Sequence, residues 1–370
     1  MPRIVLFLTL IIHGGIHFLG FAKAFHVFET PSLSIPVGPV NGVLWLFTTF
    51  LLAVSAIELI RFKETWWRLA ITALPISQFL IVTTWHDSKI GTLANVFILL
   101  SVIAGYAEWY FKRRFRKEVQ QVLKVSQQGP RPLLKEEMLE HLPEAVKKYI
   151  LRSGALNTAI QDTFRVRMRG MLRKNEGSEW MHLDFEQVNS IRKPMRIFWL
   201  YSKMSMIPVS GLHCYKNGKA SMDIRLLSLL RLEYQQGREM DIAETVTWFN
   251  DLCVMYPAAL TDERIKWIEK DQQKVQAEFS NGDIKISATL EFNEDHDLVN
   301  FYSDDRYYSS EENGMKKYTW STPLSNYPKL NGMRFPHHAK AVWKFPDGDF
   351  CYGQFNIRSV DFDFSGFKSE

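Results

Sequence analysis

Six polar residues in the C-terminal two thirds of the chain have the types and spacing that could do chemistry. They are His213 beside Cys214, Asn250-Asp251 at the end of an apolar helical stretch, and Asp304-Asp305-Arg306 after an alternating run. Adjacent carboxylates form a general acid/base pair if the fold raises the pKa of one of them. An Asp and an Arg brought together form a buried pair or grip a charged headgroup bidentately. The simpler reading is structural: Asn250 and Asp251 end a helix, and Asp305 and Arg306 brace it from an adjoining strand. His213 and Cys214 do not make a nucleophile–base pair, because neighbours on a strand point to opposite faces; His337-His338 fails in the same way. The chain has no glycine-rich phosphate loop, no Gly-x-Ser-x-Gly elbow, no His-Glu-x-x-His and no zinc-like Cys/His array. Its residues name no metal and no cofactor.

A second set lies near the N-terminus. His13 and His17, in His-Gly-Gly-Ile-His, are four residues apart and share one helix face. Within an apolar segment such groups are costly and often functional, and two imidazoles at this spacing can ligate a metal or pass a proton. Two ligands from one helix make an incomplete site, however. Hydrogen bonding across a helix bundle explains them more simply, with Gly14 and Gly15 allowing close approach. Glu58, one turn from Arg61, reads as an interfacial charge.

The elements around these residues divide at Lys112–Lys117, the run Lys-Arg-Arg-Phe-Arg-Lys. The chain has 370 residues and net charge +5, enough length for two units. Residues 118–370 carry 34 basic and 35 acidic residues, so the excess is concentrated in Lys112, Arg113, Arg114, Arg116 and Lys117. A nucleic-acid-binding domain carries a basic face; with no net excess on the large domain, nucleic acid is not an expected partner. Three scattered cysteines, Cys214, Cys253 and Cys351, give no disulfide framework and favour a reducing compartment.

Four apolar segments precede the basic run, at 4–21, 43–60, 69–85 and 90–106. Each approaches the length of about 20 residues that crosses a bilayer, with tryptophans near the expected interfaces. Met1–Ala24 also imitates a signal peptide, ending Ala22-Lys23-Ala24; its long apolar run and the three further segments favour a retained span. With the N-terminus in the cytoplasm, the inner loops hold Arg3, Arg61, Lys63, Arg68 and the five basic residues of 112–117. The outer loops hold only Lys23 and Lys89. This positive-inside bias predicts a multi-pass protein of the bacterial inner (plasma) membrane with a large cytoplasmic C-terminal domain. The expected organisation is a four-span helical domain at 1–110, a basic juxtamembrane linker at 111–132 whose cations meet anionic lipid headgroups, and a β-rich domain at 133–370. Gly129-Pro130-Arg131-Pro132 breaks any helix continuing from the last span.

Past this break, apolar residues recur every three or four positions over 133–152, a helix with Gly154 as its cap. The period then changes to two. Phe164–Arg173 alternates apolar and basic residues, a half-buried strand with Arg165, Arg167 and Arg169 on its solvated face. Strands are predicted over 180–187, 195–200, 265–269, 274–279, 284–292, 298–303, 317–320, 333–336, 339–345 and 353–361. Asn217-Gly218 and Asn313-Gly314 read as turns. The stretch 223–234 fits a strand pair or a short helix. Asp241–Leu252 reads as a helix capped by Asp241, with Glu244 three residues on, and stopped by Pro257. The fold class is a membrane α-helical bundle plus an α+β soluble domain: a large, curved, mostly antiparallel sheet with one or two helices. A sheet of about ten strands must curl, and with a helix across its mouth it encloses an apolar cavity.

Residues 1–110, with His-Gly-Gly-Ile-His-Phe-Leu-Gly-Phe-Ala-Lys in the first helix, resemble the DoxX-like membrane proteins. Some members of that group are linked to respiratory or thiol redox systems, but this half contains no cysteine. Leu142-Pro-Glu-Ala-Val-Lys-Lys-Tyr-Ile, Gly211-Leu-His-Cys-Tyr, Glu244-Thr-Val-Thr-Trp-Phe-Asn-Asp-Leu-Cys, Val299-Asn-Phe-Tyr-Ser-Asp-Asp-Arg-Tyr and Pro346-Asp-Gly-Asp-Phe resemble a bacterial family of unknown function over about 135–365. The strand order is also similar to that of the LolA and LolB lipoprotein carriers, an analogy of fold alone.

The leading expectation is a membrane protein whose β-rich domain binds an apolar or amphipathic ligand such as a lipid or quinone. One alternative is a membrane-anchored hydrolase or redox enzyme built on Asp251, Asp305 and Arg306. Another is a membrane-anchored interaction module.

Overall fold

A computed structural model of the chain describes residues 2–126, 131–204, 207–310, 314–330, 332–362 and 364–367. The chain divides into two compact units, Met1–Arg113 and Arg114–Glu370.

In the first unit, helices α1 (Pro2–Ala24), α2 (Pro39–Ile60), α3 (Trp67–Thr83) and the start of α4 (Gly91–Ser126) pack together. Leu10, Leu52, Ala56, Ala70, Ala73 and Ile98 are fully buried between them. Many other apolar residues, among them Ile4, Ile12, Phe50, Val82, Leu93 and Leu100, face outward. A helix that is apolar inside and out suits a hydrocarbon solvent. Three of these helices, α1, α2 and α4, are long and apolar enough to cross a membrane, whereas α3 has only 17 residues. Four spans were expected, and α3 is the short one. Of the two glycines expected to bring helices together, Gly14 lies against Leu52, while a Cβ on Gly15 would touch nothing. The tight contact is instead at Gly20, whose added Cβ would sit 2.1 Å from the Trp45 ring.

The second unit is built on a 13-stranded antiparallel sheet. Its strands are β1 (Thr163–Leu172), β2 (Met181–Ser190), β3 (Met195–Met204), β4 (Ile207–Lys216), β5 (Lys219–Leu226), β6 (Leu230–Gln236), β7 (Ile265–Glu269), β8 (Lys274–Asn281), β9 (Ile284–Phe292), β10 (Leu298–Ser303), β11 (Thr319–Ser325), β12 (His338–Phe345) and β13 (Gly348–Asp361). The order across the sheet is β6-β5-β4-β3-β2-β1-β13-β12-β11-β10-β9-β8-β7. Nearly every connection is a hairpin, so the chain's own order almost writes the sheet. Asn217 and Gly218 both take positive φ in the β4–β5 turn, as a tight hairpin requires. Register shifts at Arg167/Met168 and Ala341/Val342 bend the middle of the sheet. Residues 223–234 form two strands, not a helix.

Two helices lie on this sheet. α5 (Glu144–Ser153) ends at Gly154, whose φ of 80° is left-handed, as a glycine cap allows. The helix predicted for 133–152 is therefore shorter: residues 136–139 form only a 3-10 turn, and Leu133 bridges to Ala159. Pro130 and Gly129 lie outside the described residues, as does Asn313 of the second predicted turn. α6 (Arg238–Met255) is buried on every face from Ala243 to Met255. Phe249 stacks on Phe279 at 5.4 Å, and Trp248 donates its indole N–H to the Ser190 carbonyl at 3.0 Å. Each such ring contributes about 1.5–3 kcal/mol by leaving water. Asp241 is not the cap. The helix starts three residues earlier, and the Asp241 carboxylate instead accepts the Ala220 N–H at 2.7 Å and pairs with Lys219 at 2.9 Å.

The residues of the basic run have partners within the protein. Lys112 pairs with Glu64 and Arg113 lies over the Trp109 ring within the first unit. Arg114 pairs with Asp223 at 3.2 Å and Arg116 sits over Phe367 within the second. Helix α4 runs through the run without a break, and its last turns bury Phe115, Val119, Val122 and Leu123. Four of the five cations of the run thus have protein partners.

Candidate functional site

Strand periodicity places side chains in rows. On one face of the sheet, register pairs Gln187 with Phe198, Phe198 with His213, and His213 with Met222. The next row pairs Met168 with Phe185, Phe185 with Leu200, Leu200 with Gly211, and Gly211 with Ile224. The opposite face of β3 is also covered, since Trp199 meets Phe115 at 5.8 Å. Gly211 is required where it stands: a Cβ there would lie 2.6 Å from Ile224 and 2.7 Å from Leu200.

These rows, the inward edge of α6 and the strands β11–β13 line a half-open cavity of about 440 Å³. Its wall is mostly apolar, with Leu183, Phe185, Phe198, Leu200, Phe355 and Ile357 prominent. Such a volume falls in the range of small-molecule pockets.

Four of the six residues singled out in the sequence line this cavity: His213, Asn250, Asp251 and Arg306. The other two do not. Asp304 accepts from the Thr319 hydroxyl, and Asp305 accepts the Ser287 N–H at 2.8 Å and pairs with Lys317 at 2.8 Å. The cluster Asp251/Asp305/Arg306 is therefore not assembled. Neither Asn250 nor Asp251 ends the helix, which continues to Met255.

Asp251 has a different partner from the one the sequence suggested. Arg196 of β3 donates to Asp251 at 2.8 Å, to Glu244 at 3.2 Å and to Gln187 at 3.1 Å. Gln187 closes the group with a 2.9 Å bond to Asp251. The guanidinium also lies 4.4 Å from the centre of the Phe198 ring. Burial pushes the Asp251 carboxyl above its usual range, against the pull of Arg196 and Gln187. Burial works against the charge on Arg196, but the Asp251 and Glu244 carboxylates outweigh it and raise its pKa. Arg196, Glu244 and Gln187 were missed in the sequence. On a strand, Arg196 and Gln187 look like solvated-face residues; Gln187 lies opposite Phe198 in register and Arg196 two residues before it, which places both on the inward face.

Arg306 stands in contrast. It lies 4.2 Å from the Trp320 ring centre and 5.8 Å from that of Trp343. Its Nε and Nη1 are buried and find no hydrogen-bond partner among the described residues. Three more wall atoms share this condition: His213 Nε2, Asn250 Oδ1 and Thr322 Oγ1. Burial lowers the His213 pKa to about 4, with Arg196 and Arg306 adding to the effect and Glu244 opposing it. Its neighbour Cys214 is pushed up to about 12 by burial, a thiol of low reactivity.

The membrane-helix histidines lie in the other unit. His13 Nε2 bonds Asn95 at 2.9 Å and Ser77 at 3.2 Å, and His17 Nε2 bonds Ser77 at 2.7 Å. They line a second cavity of about 620 Å³ together with Trp45, Ser88 and Gly91. Among the described residues, no group of three His, Cys, Asp or Glu side chains is arranged to hold a metal. Glu58 is partly buried and lines neither cavity.

A curved antiparallel sheet wrapped about a helix, with a mixed apolar and polar cavity between them, defines the class of domain. Residues 132–355 match a family of unknown function (DUF6544), and the chain belongs to that family. No curated protein matches the chain. Among solved structures, it is similar to a domain from Vibrio parahaemolyticus described as an outer membrane lipoprotein-sorting protein, at 8% identity and a TM-score of 0.33, over 56% of this chain and 87% of that one. A LolA superfamily protein from Nitrosomonas europaea gives 8% identity and a TM-score of 0.32 over 62% and 94% of the two chains. A DUF1329 family protein from Desulfovibrio piger gives 9% and 0.32 over 62% and 91%. Likeness at this level carries no argument about function.

Proposed function

We propose that the β-rich domain binds a single-chain amphipathic molecule of the lipid kind in the cavity between α6 and the sheet. The observation that carries this reading is the cavity itself. It places an apolar wall of Leu183, Phe185, Phe198, Leu200 and Phe355 beside a small group of inward polar atoms. An apolar pocket with a few fixed polar groups is the usual form of a small-molecule site. Its volume of about 440 Å³ suits one acyl chain with its head better than a two-chain phospholipid.

The apolar N-terminal helices anchor the domain beside a bilayer, with four spans if α3 also crosses. One end of the helical unit gathers Arg3, which donates to the Leu59 carbonyl at 3.0 Å, together with Lys112 on Glu64 and Arg68 over Trp109. That bias supports an inner-membrane protein with this end in the cytoplasm.

The test uses the full chain in nanodiscs and a diazirine-bearing dodecanol as the photolabel. Labelled peptides from β2, β3 and β13 are expected, and Ala339→Trp, which projects a ring from β12 into the cavity beside Phe355, should abolish them. Labelling confined to the N-terminal helices would overturn the proposal.

A further inference from the structure

We infer that Arg306 is the receptor for the head of this molecule and that the head is a carboxylate, so the ligand class is a single-chain aliphatic acid. The inference rests on the amphipathic-ligand reading above and goes beyond it by fixing the chemistry of one end.

Two arginines line the cavity, and an arginine cannot shed its charge. Arg196 has three oxygen partners from protein side chains. Arg306 has the faces of Trp320 and Trp343 beneath it and two buried N–H groups with none. An aromatic face balances part of a cation's charge but accepts none of its in-plane N–H bonds. Charge-assisted bonds from guanidinium to carboxylate are about twice as strong as neutral ones. A partly buried guanidinium with two buried, uncommitted donor atoms is therefore matched by an anionic oxygen ligand.

Neighbouring atoms fit the same head. Thr322, 5% exposed, and His213 each present an uncommitted polar atom that can donate, and Asn250, 7% exposed, presents its side-chain amide. Whether Asn250 turns its oxygen or its nitrogen inward depends on the amide rotamer. Beyond them the wall is apolar from Phe198 through Leu200 to Phe355.

The charge count favours a monoanion over a phosphate dianion. Glu244 and Asp251 already lie on the wall, so a second negative charge would meet both. Arg196 is balanced by Glu244 and Asp251, whereas Arg306 pairs with no carboxylate among the described residues.

The experiment compares three diazirine probes of equal chain length on the full chain in nanodiscs: dodecanoic acid, dodecanol and dodecyl phosphate. The readout is the ratio of acid to alcohol label on the β2, β3 and β13 peptides, measured in the same preparation, so a partly unfolded sample does not alter it. The wild-type ratio is expected to exceed about tenfold, the size of one charge-assisted contact. Arg306→Met should bring it below about twofold, and Arg306→Lys should give an intermediate value. A wild-type ratio near one, with both probes on the cavity peptides, would overturn the carboxylate receptor and leave the amphipathic-ligand reading standing. So would a high ratio that Arg306→Met does not change. Preference for dodecyl phosphate over the acid would overturn the carboxylate assignment. Absence of every probe from the cavity peptides would overturn both readings.

Discussion

The two sides of the sheet cavity treat an arginine differently. On the β3 side, Arg196 is enclosed by Asp251, Glu244 and Gln187. On the β11 side, Arg306 rests on Trp320 with two N–H groups uncommitted. The first arrangement is self-sufficient, and its energetic weight lies in the folded state. The second is incomplete within the protein, and its weight falls on whatever enters the cavity. Charges of the same type thus separate by the company they keep, a distinction that residue identity does not carry.

The largest expected effect sharpens this contrast. Arg196→Met leaves two buried carboxylates facing the cavity without a cation, which should cost about 3–5 kcal/mol. Thermal unfolding of the full chain in nanodiscs measures it. A triple variant that also replaces Glu244 and Asp251 by Leu should recover most of the loss, because removing the whole group also removes its burial cost. A single variant as stable as wild type would break the contrast.

Filling the wall should cost less. Gly211→Val drives two methyl groups into the space of Leu200 and Ile224 and should destabilise by about 1–3 kcal/mol. Unchanged denaturant midpoints would mean that the two rows can separate and that the cavity wall is soft.

Between the two sides lies His213, which faces Arg196 on β3, Glu244 on α6 and Arg306. Its folded pKa, about 4, is depressed below the ordinary 6.5. The neutral ring therefore contributes stability that is complete above pH 6.5 and falls away as the pH drops toward 4. Between pH 7 and pH 5 the wild type should lose about 2 kcal/mol more than His213→Gln. Parallel pH profiles for the two proteins would show that the imidazole is solvated in the native state.

Arg306→Met should have the smallest effect on stability, about 0.5–1 kcal/mol, the size of its contact with Trp320. A loss as large as that of Arg196→Met would erase the difference between the two sides and make Arg306 a structural brace.

Much of the architecture was legible before folding. Leu298–Ser303 and Ile284–Phe292 alternate strongly enough that the strands match their predicted bounds. Asn217-Gly218 announced its hairpin through the need for positive φ, and Pro257 announced the end of α6. Boundaries set by contact were less legible. α6 starts at Arg238, upstream of Asp241, because that carboxylate is engaged by Ala220 and Lys219 of a distant strand. The site was read in part: His213, Asn250, Asp251 and Arg306 do share a cavity, whereas Asp304 and Asp305 turn to other partners.

Local pattern alone determined the turns, the strand faces, the apolar N-terminal helices and the concentration of charge at 112–117, since each depends on residues within one or two turns of chain. The partner of each charge was decided by the tertiary structure. Arg196 and Asp251 are 55 residues apart, and they meet because the curl of the sheet brings β3 under α6. Arg196 shares the inward face of β3 with Phe198, while the other face of that strand is covered by Trp199 on Phe115, a contact made across 84 positions of sequence. Alternation says only that two faces differ; which face is closed off from water depends on what the rest of the chain lays against it.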